Sequence, residues 1–271
     1  MNHLSKRDIV ILVGLLVIYW LVLFLASLVI SIYNLYFGLG LMLFILAYLI
    51  LFSFRQTEQN NQKSFYQNYR QIEELKSLHS LIKVSAPLPS MRGWAISPDF
   101  ANIIFSLIKE TKPAVVVDLG SGVSTLISGY ALRQMAVKGK ILALDHNEKY
   151  VQISQTQVEQ HGLSDLAEVV LAPLEEIKIN DQPFLWYKFD WSKVNEIDLL
   201  IVDGPPQKIK NSRYPALPVL YKYLSSRAVI LVDDYCVADT KAMINLWLKE
   251  FGDLKLEIIN TEKGAAILRK N

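Results

Sequence analysis

An apolar strand that ends in a carboxylate, turns on two glycines and enters a helix presents backbone N–H groups and hydroxyls to a ligand. The run VVVDLGSGVSTL, from Val115 to Leu126, has this form. Gly120 and Gly122 allow a sharp turn and a close backbone approach, and Ser121, Ser124 and Thr125 supply hydroxyls that hydrogen-bond or cap the next helix. The third glycine of a dinucleotide fingerprint is absent, with Thr125 in its place. Asp145 stands 23 residues beyond Gly122, at the end of a second apolar run, where a carboxylate can accept both hydrogen bonds of a ribose diol. These features imply a nucleoside-type cofactor. NAD and S-adenosylmethionine share the diol, so Asp145 alone does not separate them.

Four apolar runs end in acid, at Asp118, Asp145, Asp203 and Asp233. In open parallel sheets ligands bind beyond the carboxyl ends of the strands, although a single acid there also serves simply to solvate a strand tip. Lys208, Lys210 and Arg213 follow the third of these acids. They read either as a solvated loop or as groups that meet an anionic acceptor, with Lys208 a base if burial lowers its pKa. Trp186, Tyr187 and Trp191 could line an acceptor pocket or plug the core. His146 and His161 sit beside a helix start and at a helix end.

The elements that position these residues alternate. Strands are expected at Ala114–Asp118, Lys140–Asp145, Glu168–Ala172, Ile197–Asp203, Ala228–Asp233, Leu256–Ile259 and Ala265–Leu268, and helices near Thr125–Ala136, Glu148–His161, Pro215–Leu224 and Thr240–Phe251. Continuous apolar strands between amphipathic helices imply an α/β fold: a mostly parallel, seven-stranded, Rossmann-like sheet covered on both faces and closed by an antiparallel hairpin. Ser97-Pro98-Asp99 starts a further helix.

The N-terminus has another character. The 46 residues from Ile9 to Phe54 contain no Asp, Glu, Lys or Arg. One straight helix of that length would run roughly 69 Å, about twice the hydrocarbon core, so two transmembrane helices are expected, at about 9–32 and 37–54, with Tyr33, Asn34 and Tyr36 at the turn. Lys6 and Arg7 before the first span and Arg55 after the second put both ends in the cytoplasm. A cleaved signal peptide and a buried core hairpin are the other readings of this segment. Residues 1–55 are thus read as a membrane anchor, 56–84 as a polar linker with an amphipathic helix, and 85–271 as the globular domain. The helix, with Phe65, Tyr69, Ile72, Leu75, Leu78 and Ile82 at helical spacing, either packs on its own domain or pairs in a homodimer.

Composition excludes several classes. Residues 55–271 carry 26 basic and 25 acidic side chains, which leaves no electrostatic footprint for nucleic acid. The single Cys236 rules out an internal disulfide, and one cysteine with four scattered histidines argues against zinc.

The pair VVDLGSGVSTL and ALDHNEKYV resembles the class I S-adenosylmethionine-dependent methyltransferases. RGWAISPDF (92–100), VDGPP (202–206), SRYPALPVL (212–220) and LVDDY (231–235) are similar to a bacterial branch near the O-methyltransferases of the catechol and caffeoyl-CoA type, over roughly residues 85–270. The resemblance implies that Gly120, Ser121 and Gly122 wrap the methionine part of the cofactor, with Thr125 in the same turn, that Asp145 holds the ribose, and that Asp118 orients the glycine turn or the cofactor's amino group. Adenine contacts would follow the third strand, between Ala172 and Glu175. It further implies Asp203 as a catalytic residue, with Lys208 beside it, and a divalent ion such as Mg²⁺ on Asp203, Asp233 and Asp234. Asp234 replaces the usual amide, and Gly204-Pro205-Pro206 departs from the family's longer polar sequence, so Mg²⁺ stays an open alternative. The reading that results is a membrane-anchored methyltransferase facing the cytoplasm, acting on a small-molecule or membrane-borne, lipid- or glycan-linked acceptor hydroxyl. An NAD-dependent oxidoreductase and a non-catalytic membrane adaptor are the alternatives.

Overall fold

The computed structural model describes residues 5–27, 33–194 and 196–270. The chain divides into two compact units, Met1–Tyr66 and Gln67–Asn271.

In the first unit, helix α1 (Lys6–Ser27) starts at a reciprocal cap: the Asp8 amide donates to Ser5 Oγ, and the Ser5 amide donates to Asp8 Oδ2. Helix α2 (Tyr33–Leu81) approaches it closely at Gly38, where a Cβ would stand 3.2 Å from Leu23. Lys6–Ala26 and the segment beginning at Phe37 are each long and apolar enough to cross a membrane, and no residue of the most apolar stretch of α1 is buried. Two details differ from the sequence expectation. The expected turn residues Tyr33, Asn34 and Tyr36 belong to the first turns of α2, because nothing in them breaks a helix; the end of the first expected span, 28–32, lies outside the described residues. The polar stretch 56–64, expected as an unstructured exit, is also helical. Neither Pro nor Gly occurs between Leu41 and Ala86, and Gln, Glu and Lys sustain a helix once its neighbours have formed one.

The second unit holds the end of α2, α3 (Pro98–Thr111), and an alternation of β1 (Val115–Leu119), α4 (Val123–Gln134), β2 (Lys140–Asp145), α5 (Glu148–Gln160) and β3 (Ala167–Leu171). After a small hairpin, β4 (Leu174–Ile179) and β5 (Gln182–Tyr187), the chain returns through β6 (Ile197–Val202), α6 (Ala216–Leu220), β7 (Leu224–Val232), α7 (Ala238–Glu250), β8 (Leu254–Ile259) and β9 (Ala265–Lys270). The main sheet has seven strands in the order β3-β2-β1-β6-β7-β9-β8. β9 is antiparallel to β7 and β8, and the remaining pairs are parallel. This is the mostly parallel, doubly covered, Rossmann-like sheet with a C-terminal antiparallel hairpin. One face buries Phe100, Ile104, Leu126 and Ile127 from α3 and α4; the other buries Trp186, Leu217 and Trp247.

The β4–β5 hairpin was not expected. Its strands alternate, and Asn180 and Asp181 both take positive φ between them, the turn chemistry that favours a tight hairpin. The helix expected over Pro215–Leu224 is shorter: α6 gives way to a 3₁₀ turn at Tyr221–Tyr223, and Leu224 already opens β7.

The site's end of the sheet is tied down by Asp99, which is 4% exposed. Its Oδ1 accepts from Ser97 Oγ (2.5 Å) and the Phe100 amide (2.9 Å), and its Oδ2 accepts from Gln71 Nε2 and the Glu262 amide, both at 2.8 Å. One carboxylate thus joins the end of α2, the start of α3 and the β8–β9 turn. Replacing it strands several buried donors at once, so Asp99→Ala is expected to lower the unfolding free energy by about 2–4 kcal/mol, measured by denaturant unfolding of the second unit's tryptophan signal. A loss below about 0.5 kcal/mol would contradict this role.

Candidate active site

The strand order reverses between β1 and β6, so their carboxyl ends diverge and leave a crevice. The backbone shapes it. The amide of Gly120 bonds to Leu144 O at 2.9 Å, while the amides of Asp203 and Gly204 both reach Leu119 O, at 3.0 and 2.5 Å. Gly120 (φ +114°) faces this second turn, where a Cβ on it would stand 3.3 Å from Gly204 N. A Cβ on Gly204 would come within 2.2 Å of Tyr187 Oη. Two glycines therefore meet because strand ends and a tyrosine converge on one point.

Above them opens a cavity of about 740 Å³, which Gly120, Ser121, Gly122, Asp145 and Asp203 help to line, together with Trp94. Of the other expected residues, Lys208 and Asp234 also line it, whereas Asp118, Thr125 and Asp233 lie behind its wall. Asp118 is fully buried and accepts from Ser124 Oγ (2.8 Å) and Thr125 Oγ1 (2.7 Å). Thr125 Oγ1 in turn accepts from the Gly122 amide at 3.2 Å. Asp118 and Thr125 thus orient the glycine turn from beneath and have no direct access to a ligand. Asp145 Oδ1 accepts from the Asn147 amide at 2.9 Å and lies 3.4 Å from His146 Nδ1; burial raises its pKa.

Asp203, Asp233 and Asp234 do converge, with one carboxylate oxygen of each within 4.8 Å of the others. Arg213 stands among them. Its Nη2 is 3.2 Å from Asp203 Oδ1, its Nη1 is 2.9 Å from Asp234 Oδ2, and the residue is only 6% exposed. Lys263 Nζ lies 3.6 Å from Asp233 Oδ2 and donates to Ala95 O at 3.1 Å. Burial raises the Asp203 carboxyl, and Arg213 opposes the rise. Asp233, with no exposure and the Asp203 charge close by, is pushed up to about 8.

Lys208 is exposed, with its ammonium 5.1 Å from the centre of the Trp94 ring, so it lacks the burial under which a lysine acts as a base. Of the three aromatics, Tyr187 alone reaches the cavity; Trp186 and Trp191 are core plugs. Ala172 is buried and Glu175 pairs with Lys188 at 3.2 Å in the β4–β5 hairpin, and neither lines the cavity, whereas His146 and Tyr150 do. Tyr150 went unnoticed in the sequence, although its place just after Asp145 at the start of α5 is a signal for it. Trp94 and Lys263 come from distant segments, and no local pattern marks them as cavity residues. His161 accepts its helix-end role: it is buried against Tyr130 Oη at 2.7 Å, and burial lowers its pKa.

The buried Asp118, raised to about 7 chiefly by desolvation, gives a pH signature. Between about pH 4 and pH 7 the folded protein holds a proton there that the unfolded chain has released, so stability falls as pH rises through that window. One such group contributes up to about 1.4 kcal/mol per pH unit. Asp118→Asn is expected to flatten the decline between pH 5 and 7 in urea unfolding; an unchanged slope would refute the assignment.

The comparisons with known proteins agree with this geometry. Residues 117–235 match a family described as a methyltransferase domain. An O-methyltransferase of Aspergillus hancockii is 29% identical over 153 residues, which are 56% of this chain and 51% of that protein. The chain thus spans about half the length of this relative. Among solved structures, the Bacillus cereus O-methyltransferase in complex with S-adenosylhomocysteine superposes with a TM-score of 0.51 at 15% identity, covering 74% of this chain and 90% of that one. The Streptomyces achromogenes O-methyltransferase TomG, bound to S-adenosylmethionine, gives 0.52 at 14% identity over 66% and 82%. A Podospora anserina methyltransferase bound to S-adenosylhomocysteine gives 0.52 at 16% over 79% and 96%. At these identities the superpositions establish the fold, and the family match adds to it the strands that carry the glycine turn and the carboxylates from Asp118 to Asp234. Over residues 117–235 the chain is thus similar to a methyltransferase-domain family, and its second unit has the fold of these methyltransferase structures.

Proposed function

We propose that the protein is a membrane-anchored methyltransferase that transfers the methyl group of S-adenosylmethionine to a hydroxyl oxygen of a small-molecule or lipid- or glycan-linked acceptor. The observation that carries this reading is the crevice itself: a glycine turn, a ribose-directed carboxylate and an ionisable acid, Asp203, converge on one cavity at the strand-order switch. The residues fit the cofactor. Gly120 leaves the backbone bare where a side chain would crowd Gly204, and Asp145 stands in the wall where a ribose diol needs an acceptor. When bound, S-adenosylmethionine supplies an electrophilic methyl carbon on a sulfonium.

Such a transfer asks the protein mainly for alignment and for removal of one proton. Ser121 and the glycine turn fix one side of the cavity, and Trp94 and Lys208 shape the other. The Asp203 carboxylate would take the acceptor's hydroxyl proton and leave that oxygen free to receive the methyl group. Burial makes Asp203 a stronger base than an exposed aspartate, and Arg213 keeps it ionised enough to act.

Anchoring rests on the two apolar helices, and the Lys6, Arg7 and Arg55 flanks support a cytoplasmic catalytic unit. Tethering raises the effective concentration of membrane-borne acceptors, whereas the near-neutral charge offers nothing to nucleic acid. Alkaline carbonate should leave the full chain in the membrane pellet. The single, exposed Cys236 should react with an impermeant maleimide only after cells are opened, and labelling of intact cells would reverse the orientation.

Calorimetric titration of the full chain in detergent tests the cofactor. S-adenosylmethionine and S-adenosylhomocysteine should bind at micromolar concentration and NAD should not. Asp145→Ala and Gly122→Val, the latter at φ +151°, should each weaken binding at least tenfold. Unchanged affinity in both variants, or binding of NAD alone, would overturn the reading.

A further inference from the structure

We propose that Arg213, backed by Lys263, is a built-in counter-cation standing where the resemblance to metal-dependent relatives expects a divalent ion, so that this site works without bound metal. The donor set looks adequate at first, since one oxygen each of Asp203, Asp233 and Asp234 lies within 4.8 Å of the others. Two of those carboxylates are already engaged. The Arg213 guanidinium spans them, with Nη2 on Asp203 and Nη1 on Asp234 at 3.2 and 2.9 Å. It is also held from the side, because Nε donates to Pro205 O at 3.3 Å and Nη1 to Asp233 O at 3.4 Å. Ser212 reinforces the same turn through its hydroxyl, which donates to the carbonyls of Pro205 and Pro206. The third carboxylate, Asp233, faces Lys263 Nζ at 3.6 Å.

Arginine does not lose its proton in proteins, and a guanidinium this deeply buried cannot swing into water without dismantling the turn that holds it. A divalent ion between Asp203 and Asp234 would have to evict it, or settle within a few ångströms of a fixed positive charge and share its carboxylates. The residues present therefore do not fit Mg²⁺. The departures visible in the chain, Gly204-Pro205-Pro206 and Asp234 in place of an amide, have a physical meaning in this light: the loop is built to hand its carbonyls, and the extra carboxylate, to Arg213. One consequence rests on the methyltransferase reading. With no ion to chelate a pair of oxygens, an acceptor needs only one hydroxyl, and side chains instead of a metal must aim it.

Mn²⁺ binding to the full chain in detergent, followed by calorimetry and by the electron paramagnetic resonance of free Mn²⁺, tests the proposal without any methyl transfer. The wild type should show no saturable binding up to millimolar Mn²⁺, and S-adenosylmethionine binding should be indifferent to EDTA. Arg213→Met, and more so Arg213→Met with Lys263→Met, should gain a Mn²⁺ site at least tenfold tighter, abolished by a further Asp203→Asn change. If Arg213→Met fails to fold by circular dichroism, Arg213→Gln, which keeps hydrogen-bond donors in the turn and removes the charge, should gain the same Mn²⁺ site. Saturable binding by the wild type that Asp203→Asn removes would overturn the proposal, as would folded variants that gain nothing. Failure of cofactor binding with Mn²⁺ exclusion intact would instead count against the proposed activity alone.

Discussion

Arg213 lies at the one place where the sheet's design conflicts with electrostatics. β6 and β7 are neighbours in a parallel sheet and both end in acid, so Asp203, Asp233 and Asp234 are forced together at the edge of a dry interior. Like charges at that spacing would push the strand ends apart or force protons onto them. A fixed guanidinium relieves the repulsion between Asp203 and Asp234, Lys263 approaches Asp233, and the Asp233 carboxyl stays raised, first by burial and then by the neighbouring carboxylates. Asp118, one strand over, is handled differently: two hydroxyls from α4 hydrogen-bond to it, and among the described residues no cation pairs with it. The carboxyl edge of the sheet is thus graded from hydrogen bonding under the glycine turn to ion pairing at the ends of β6 and β7.

The fold was largely legible because its signals are local and repeated. Asp118, Asp145 and Gly120 announce strand ends and a turn, and Glu148 to Gln160 follows its cap, Asn147, as a single helix. What escaped was decided by distance. The β4–β5 hairpin carried turn residues at Asn180 and Asp181, but its aromatics drew the eye as plugs or pocket walls, and only pairing across the turn separates Tyr187 from Trp186. The helix through 56–64 escaped because polarity reads as a linker, although Gln, Glu and Lys are also good helix formers.

The site was legible in its acids and not in its bases. Asp203, Asp233 and Asp234 could be grouped from strand ends alone. Arg213 was visible only as one of three basic residues in a loop. Its burial depends on Ser212 and the two prolines folding the loop back, and Lys263 arrives from the β8–β9 turn, fifty residues further along the chain. Lys208, the most obvious base by position, is left at the surface beside Trp94.

In helix α4 every residue from Val123 to Leu132 is buried. The glycine turn that precedes it is therefore held from beneath by the core, and a ligand seated on its open side has little disorder to freeze out. The opposite wall is made of surface segments around Trp94 and Lys208, with few such restraints. One half of the cavity is a rigid mould and the other an adjustable rim, so substitutions in the rim can reshape the opening while the mould at the glycine turn stays as it is.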